Sequence, residues 1–102
     1  MRLLILAFAL LNISAFASDA KHTVTPENGL VPDAQTAISI AVAVWTPIYG
    51  EATIEDEQPY TATLSNGVWT VEGSLPKGWK GGVAIVEISQ ENGAILRVSH
   101  GK

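Results

Sequence analysis

Ten carboxylates, two imidazoles and no thiol bound the chemistry open to this 102-residue chain. Cysteine nucleophiles are excluded, and no metal-ligand motif is present. His22 and His100 are the only side chains that would titrate near neutral pH without help. His22 falls in a polar N-terminal stretch. His100 is third from the end, on a strand expected to fray, and reads as a partly exposed strand-end histidine. The hydroxyl residues have no base near them in sequence. Glu51, Glu55, Asp56 and Glu57 fall within seven residues. Such a cluster can attract a hard cation, but it lacks the regular loop spacing and turn glycine of a calcium site. It reads either as a solvated connector or as an acidic segment that steers a positively charged partner. Gly81-Gly82 is followed by neither a helix nor Lys-Ser/Thr, so it is no phosphate loop. A strand bend or bulge is the expectation there. None of these features implies a cofactor or a catalytic residue.

The aromatic residues are the stronger binding candidates. Trp69 falls on an apolar strand face beside Leu64 and is expected in the core, as is Trp45 on the packed side of a helix. Tyr49 closes that helix and is ambiguous. Trp79 lies in a Pro/Gly-rich loop between Lys77 and Lys80. A loop tryptophan is either a lid over a sheet edge or an exposed anchor for a partner. Both readings stand on the sequence. The candidate partner-binding residues are thus Glu51, Glu55, Asp56, Glu57 and Trp79.

The elements that must position them follow from periodicity. Residues 1–17 open with Arg2, continue as an apolar run from Leu3 to Leu11, and end in Ala15-Phe16-Ala17. That is the pattern of a signal peptide cleaved before Ser18. The run is too short to span a bilayer, which takes about 20 apolar residues, so no stable membrane anchor is expected after cleavage. The expected location is the periplasm or outside the cell. Residues 18–32 are polar, carry Pro26, Gly29 and Pro32, and read as an extended, partly ordered arm. Residues 33–102 read as a single domain.

Asp33 offers a helix N-cap. Ala34, Ala37, Ile38, Ala41, Trp45 and Ile48 then follow at helical spacing. The helix is apolar nearly all round, which implies burial on more than one side. Pro47 and Gly50 place its end between Thr46 and Tyr49. The acidic stretch 51–58 comes next. After it the period changes to two. Residues 59–65 and 68–74 flank Asn66-Gly67, a strong hairpin signal. A two-residue turn pairs Leu64 with Trp69, Ala62 with Val71 and Tyr60 with Gly73, which separates an apolar from a polar face. Residues 82–90 and 94–100 form a second hairpin around Glu91-Asn92-Gly93. A three-residue loop with Gly93 left-handed pairs Ile88 with Leu96, Val86 with Val98 and Glu87 with Arg97. The expected architecture is α+β: one N-terminal helix packed on a four-stranded antiparallel sheet, cystatin-like in shape.

Composition agrees with a small globule. Residues 1–17 hold 14 of the chain's 48 apolar residues, so the hydrophobicity of the whole overstates that of the mature part. Without Arg2 the mature chain carries five basic against ten acidic residues, a net charge of −5. Nucleic acid and anionic membranes are therefore poor partners for it, and no nucleic-acid partner is expected.

Several segments taken together resemble the nuclear-transport-factor-2-fold immunity proteins. They are Gly29-Leu30-Val31-Pro32-Asp33, Thr36-Ala37-Ile38, Ile40-Ala41 and Val44-Trp45-Thr46-Pro47-Ile48-Tyr49-Gly50. To these are added Pro59-Tyr60, Gly67-Val68-Trp69-Thr70-Val71-Glu72-Gly73, Gly81-Gly82-Val83 and Val98-Ser99-His100-Gly101-Lys102. The resemblance runs from Gly29 to Lys102. It implies a nuclear-transport-factor-2-like fold and a non-enzymatic inhibitor that binds a cognate secreted toxin of a polymorphic or contact-dependent system. It supplies no catalytic residues, and its shared Trp, Pro and Gly positions look architectural. A periplasmic small-ligand or peptide-binding module of cystatin-like shape is the competing expectation. A small enzyme of the same superfamily is a third, against which the scarcity of acid/base residues counts.

Overall fold

The computed structural model describes residues 22–101; the leader expected over residues 1–17 and its cleavage point lie outside them. Helix α1 spans Ala34–Tyr49 and α2 spans Glu51–Asp56. Strands β1 (Thr61–Ser65), β2 (Val68–Glu72), β3 (Ala84–Ser89) and β4 (Ile95–His100) follow. They form one antiparallel meander in the order β1-β2-β3-β4. Helix α1 packs across β1, β2 and β3, so the expected helix-on-sheet arrangement is the one observed.

Asp33 caps α1 as its residue type dictates. Its Oδ1 accepts the Thr36 backbone N–H at 2.8 Å and the Thr36 hydroxyl at 2.7 Å, satisfying a donor the helix itself cannot. Ala37, Ala41 and Trp45, four residues apart, are fully buried against the sheet. Pro47 is accommodated in the last turns of the helix, which ends at Tyr49. Gly50, at φ +96°, donates its N–H to the Thr46 carbonyl at 2.9 Å. The chain then turns straight into α2, where a connector was expected. Ile54 explains the second helix: it is the one apolar side chain of the acidic stretch to enter the core, and is 1% exposed. A single anchor leaves no periodic signature.

The first hairpin has the expected register, with Leu64↔Trp69 and Ala62↔Val71. Asn66 and Gly67 both take positive φ, as a tight two-residue turn requires. Pairing stops at Thr61↔Glu72 and does not reach Tyr60 and Gly73. Gly73 instead donates to the Ala84 carbonyl at 2.9 Å. In the second hairpin Val86↔Val98 and Glu87↔Arg97 hold, but Ile88 pairs with Ile95 and not with Leu96. The connection is four residues, 90–93, where three were expected: the Ser89 N–H bonds the Ala94 carbonyl and the Gly93 N–H bonds the Ser89 carbonyl, each at 2.9 Å. The spare residue, Leu96, is taken up in a bulge and stays exposed. The Glu87–Arg97 pair forms across the outer face, with Arg97 Nη2 2.9 Å from Glu87 Oε2.

Residues 29–31, expected as part of an extended arm, are fastened to the domain, with Val31 entering the core. Leu30 and Val31 N–H groups donate to the Glu91 and Gln90 carbonyls, at 2.9 and 3.0 Å. Val31 is 1% exposed. Its carbonyl accepts Trp69 Nε1–H at 2.8 Å, tying the segment to the centre of the sheet. Gly29 lies so close to the Gln90 carbonyl that a Cβ would collide with it.

Candidate functional site

A cleft of about 330 Å³ opens between α2 and the β2–β3 connection, residues 73–83. Thr53 and Asp56 form its α2 wall, Leu75, Pro76, Trp79 and Lys80 its loop wall, and Glu57 and His100 its floor. The loop wall has a local cause. Gly78, at φ +82°, lets the Trp79 N–H return to the Pro76 carbonyl at 3.0 Å, a turn that needs glycine in its second central position. The turn leaves Trp79 66% exposed.

The structure divides the acidic segment that the sequence presents as one feature. Asp56 faces the cleft with Trp79. Glu51 and Glu55, one helical turn apart, line a separate groove against α1 beside Gln35, Thr46 and Tyr60. Glu57, expected as an exposed partner-binding carboxylate, is instead buried beneath the cleft, being 6% exposed. A carboxylate is stable there only because its oxygens are occupied. Oε1 accepts the Ala84 N–H at 2.7 Å, and Oε2 sits 2.9 Å from His100 Nε2. The Glu57 main-chain carbonyl accepts the Ser74 N–H at 2.6 Å. Gly73 passes so close that a Cβ would strike the Glu57 side chain.

His100 was expected on a fraying strand end. It is instead a paired residue, opposite Ala84 in the β3–β4 ladder. Gly82 permits this closure, because a Cβ there would collide with the Gly101 backbone. Gly101 also donates its N–H to the Val83 carbonyl at 3.0 Å. The His100 Nδ1 lies 3.0 Å from the Gly101 carbonyl. That carbonyl and the Glu57 carboxylate are both acceptors, so the imidazole meets both by carrying a proton on each nitrogen. Its pKa is accordingly raised above 6.5: the hydrogen bond to Glu57 is the main cause, desolvation opposes it, and the Gly101 carbonyl and the Glu57 charge add to it. Tyr49 packs on the ring, centroid to centroid 5.1 Å. No local signal marks this pair, whose members are 43 residues apart.

With both carboxylate oxygens and both ring nitrogens engaged, the pair is arranged to hold chain segments together. Among the described residues, no three His, Asp or Glu side chains converge as a metal site. None of the described helices is long and apolar enough to cross a membrane.

A helix laid over a four-stranded antiparallel meander, with a cleft at one end of the sheet and an aromatic at its rim, makes a small α+β domain of nuclear-transport-factor-2-like fold. The chain belongs to the NTF2 fold immunity protein family, whose model matches residues 36–102. It is similar to the uncharacterized protein YhhH of Escherichia coli (strain K12), with 35% identity over 88 residues, covering 85% of this chain and 67% of YhhH. It is also similar to the uncharacterized protein YbbC of the same organism, with 46% identity over 55 residues, covering 53% of this chain and 45% of YbbC. The chain thus spans about two thirds of one relative and less than half of the other. No solved structure matches it significantly.

Proposed function

We propose that this chain is an exported immunity protein that binds and neutralises a cognate secreted toxin, and that the toxin docks on the cleft rim formed by Trp79 and Asp56. One observation carries the docking site: in a member of an immunity family, a tryptophan stands 66% exposed on a shaped turn. Tryptophans at that level of exposure are costly to leave in water and are enriched among the residues that dominate interface energies. Asp56 on the facing wall, with Glu51 and Glu55 around the corner of α2, adds the negative field that would steer a basic toxin surface. Export rests on the leader pattern of residues 1–17.

The test is co-expression. A toxin encoded beside this gene is directed to the compartment where it acts, with and without the mature chain. Restored growth supports neutralisation, and Trp79→Ala with Asp56→Asn should abolish the rescue while leaving the circular dichroism spectrum unchanged. Full toxicity in the presence of folded wild-type protein refutes the proposal. A second reading is favoured by the size of the cleft, which reaches the lower range of small-ligand sites: a ligand- or peptide-binding module. It would show itself as a small molecule retained on the native protein in mass spectrometry, lost in Trp79→Ala.

A further inference from the structure

Trp79 is carried by an eleven-residue connection, 73–83, that contains no strand or helix. A loop of that length would ordinarily sample many conformations, and ordering it on binding would cost affinity. Its two ends, however, converge on one residue. At the start, the Ser74 N–H bonds the Glu57 carbonyl at 2.6 Å, and the Ser74 hydroxyl bonds the Pro59 carbonyl at 2.6 Å. At the end, the Ala84 N–H bonds Glu57 Oε1 at 2.7 Å. Gly73 lies in contact with the same side chain. The remaining oxygen, Oε2, is held by His100 from the last strand. A buried carboxylate that gathers the two feet of one loop and is itself locked from a third segment has the geometry of a clamp.

We propose that Glu57 and His100 are positioning residues for the docking loop: they fasten both ends of residues 73–83 to the end of α2 and to β4, so that Trp79 is presented before any partner arrives. Neither residue needs to touch the partner. This role rests on the reading of Trp79 as the anchor for its biological consequence, but its test requires no toxin. A clamp that works on a protein that neutralises nothing would refute the proposed function alone. A neutralising protein without a working clamp would refute this inference alone.

The clamp has a signature that a merely structural contact lacks. The imidazolium bonds both the carboxylate and the Gly101 carbonyl, so loss of its proton should loosen the loop. The other charged or titratable groups facing His100 among the described residues are Glu57, Asp56 and Lys80 in the cleft, and Tyr49 against the ring. The experiment uses the mature protein labelled with 5-fluorotryptophan, which gives three fluorine signals, for Trp45, Trp69 and Trp79. The Trp79 signal is assigned by Trp79→Phe. The His100 ring titration, the Trp79 signal and the protection of the Ala84 amide against exchange, corrected for the intrinsic pH dependence of exchange, are followed from pH 5.5 to 9.

In the wild type, Trp79 should shift toward free fluorotryptophan and Ala84 should lose at least tenfold in protection, both at the midpoint of the His100 titration, while the Trp45 and Trp69 signals stay fixed. Glu57→Gln should bring the His100 midpoint down. His100→Leu should show the loosened loop at every pH. If the Trp79 and Ala84 reporters are flat with pH, or move with a midpoint unrelated to that of His100, the inference is overturned. Should either variant lose the Trp45 and Trp69 signals and so prove unfolded, the wild-type titration alone decides.

Discussion

Two tryptophans of this core invite the same substitution with opposite hydrogen-bond consequences. Trp45 is fully buried, and its Nε1–H has no partner among the described residues. Trp69 is 7% exposed, and its Nε1–H donates to the Val31 carbonyl at 2.8 Å. Changing either to Phe removes the same atoms, so the loss of packing is similar and largely cancels in a comparison. The polar terms do not cancel. Trp69→Phe leaves the buried Val31 carbonyl without its indole donor, at about 1–3 kcal/mol. Trp45→Phe removes an orphan donor and recovers about the same amount. Trp69→Phe should therefore be less stable than Trp45→Phe by about 2–6 kcal/mol, the sum of the two terms. A chain of this size has roughly 4–12 kcal/mol in all, so the difference decides whether the variant is usable. Urea unfolding followed by far-ultraviolet circular dichroism reads it directly. With a slope of about 1–3 kcal/mol per molar for a small protein, the two midpoints should be separated by at least about 0.7 M. Equal midpoints, or a lower midpoint for Trp45→Phe, would refute the reasoning and place a donor or acceptor differently from the structure.

The His100–Glu57 pair should make stability fall with pH. The folded-state pKa of His100 is raised, so the pair's contribution is fully present below the unfolded value near 6.5 and is lost as pH rises through the folded value. Urea midpoints from pH 5.5 to 9 should therefore decline in the wild type and lose that decline in His100→Leu; a flat wild-type profile would count against it. Gly82→Ala should cost about 1–3 kcal/mol, the range for overpacking, because its Cβ meets the Gly101 backbone; an unchanged melting temperature would show that the end of β4 can move aside. Mass spectrometry of the exported protein should find Ser18 at its N-terminus, and a full-length membrane-bound product would overturn the leader reading.

What was legible in the sequence was what repeats or what a single residue type enforces. Asn66-Gly67 admits few backbone geometries, and the alternation on either side of it fixed the first hairpin's register to the residue. Asp33 before an apolar run gave the start of α1. The second hairpin was read correctly at Val86, Glu87 and Arg97 and wrongly at Ile88, because a bulge inserts one residue without disturbing composition. Helix α2 escaped notice because one buried isoleucine in six residues has no period. Trp79 could be picked out by its setting among Lys77, Gly78 and Lys80, but its exposure depended on a turn closed by Gly78. The Glu57–His100 pair could not be read at all. It joins the end of a helix to the last strand, and only the folded sheet brings β4 beside β3 and so beside α2.

That failure carries a prediction about the acidic segment. In the sequence, Glu51, Glu55, Asp56 and Glu57 are one charge run, and one electrostatic role would be assigned to all of them. A helix advances about 100° per residue, which sends neighbours in sequence to different surroundings. Glu55 looks into the groove beside α1, Asp56 into the cleft with Trp79, and Glu57 into the protein. Neutralising them one at a time should therefore give three different kinetic results against the cognate toxin. Glu55→Gln removes a rim charge, so association should slow by up to severalfold at low salt and the effect should vanish at high salt, with dissociation unchanged. Asp56→Asn alters a residue on the cleft wall proposed as the docking site, so dissociation should quicken and the effect should survive high salt. Glu57→Gln changes no exposed charge. It should leave the salt dependence of association untouched, and its effect should follow the state of the Trp79 loop. Surface plasmon resonance at two salt concentrations separates the three. If all three variants slow association alike and lose the effect in salt alike, the run acts as a single steering field, and the division made by the fold has no part in binding.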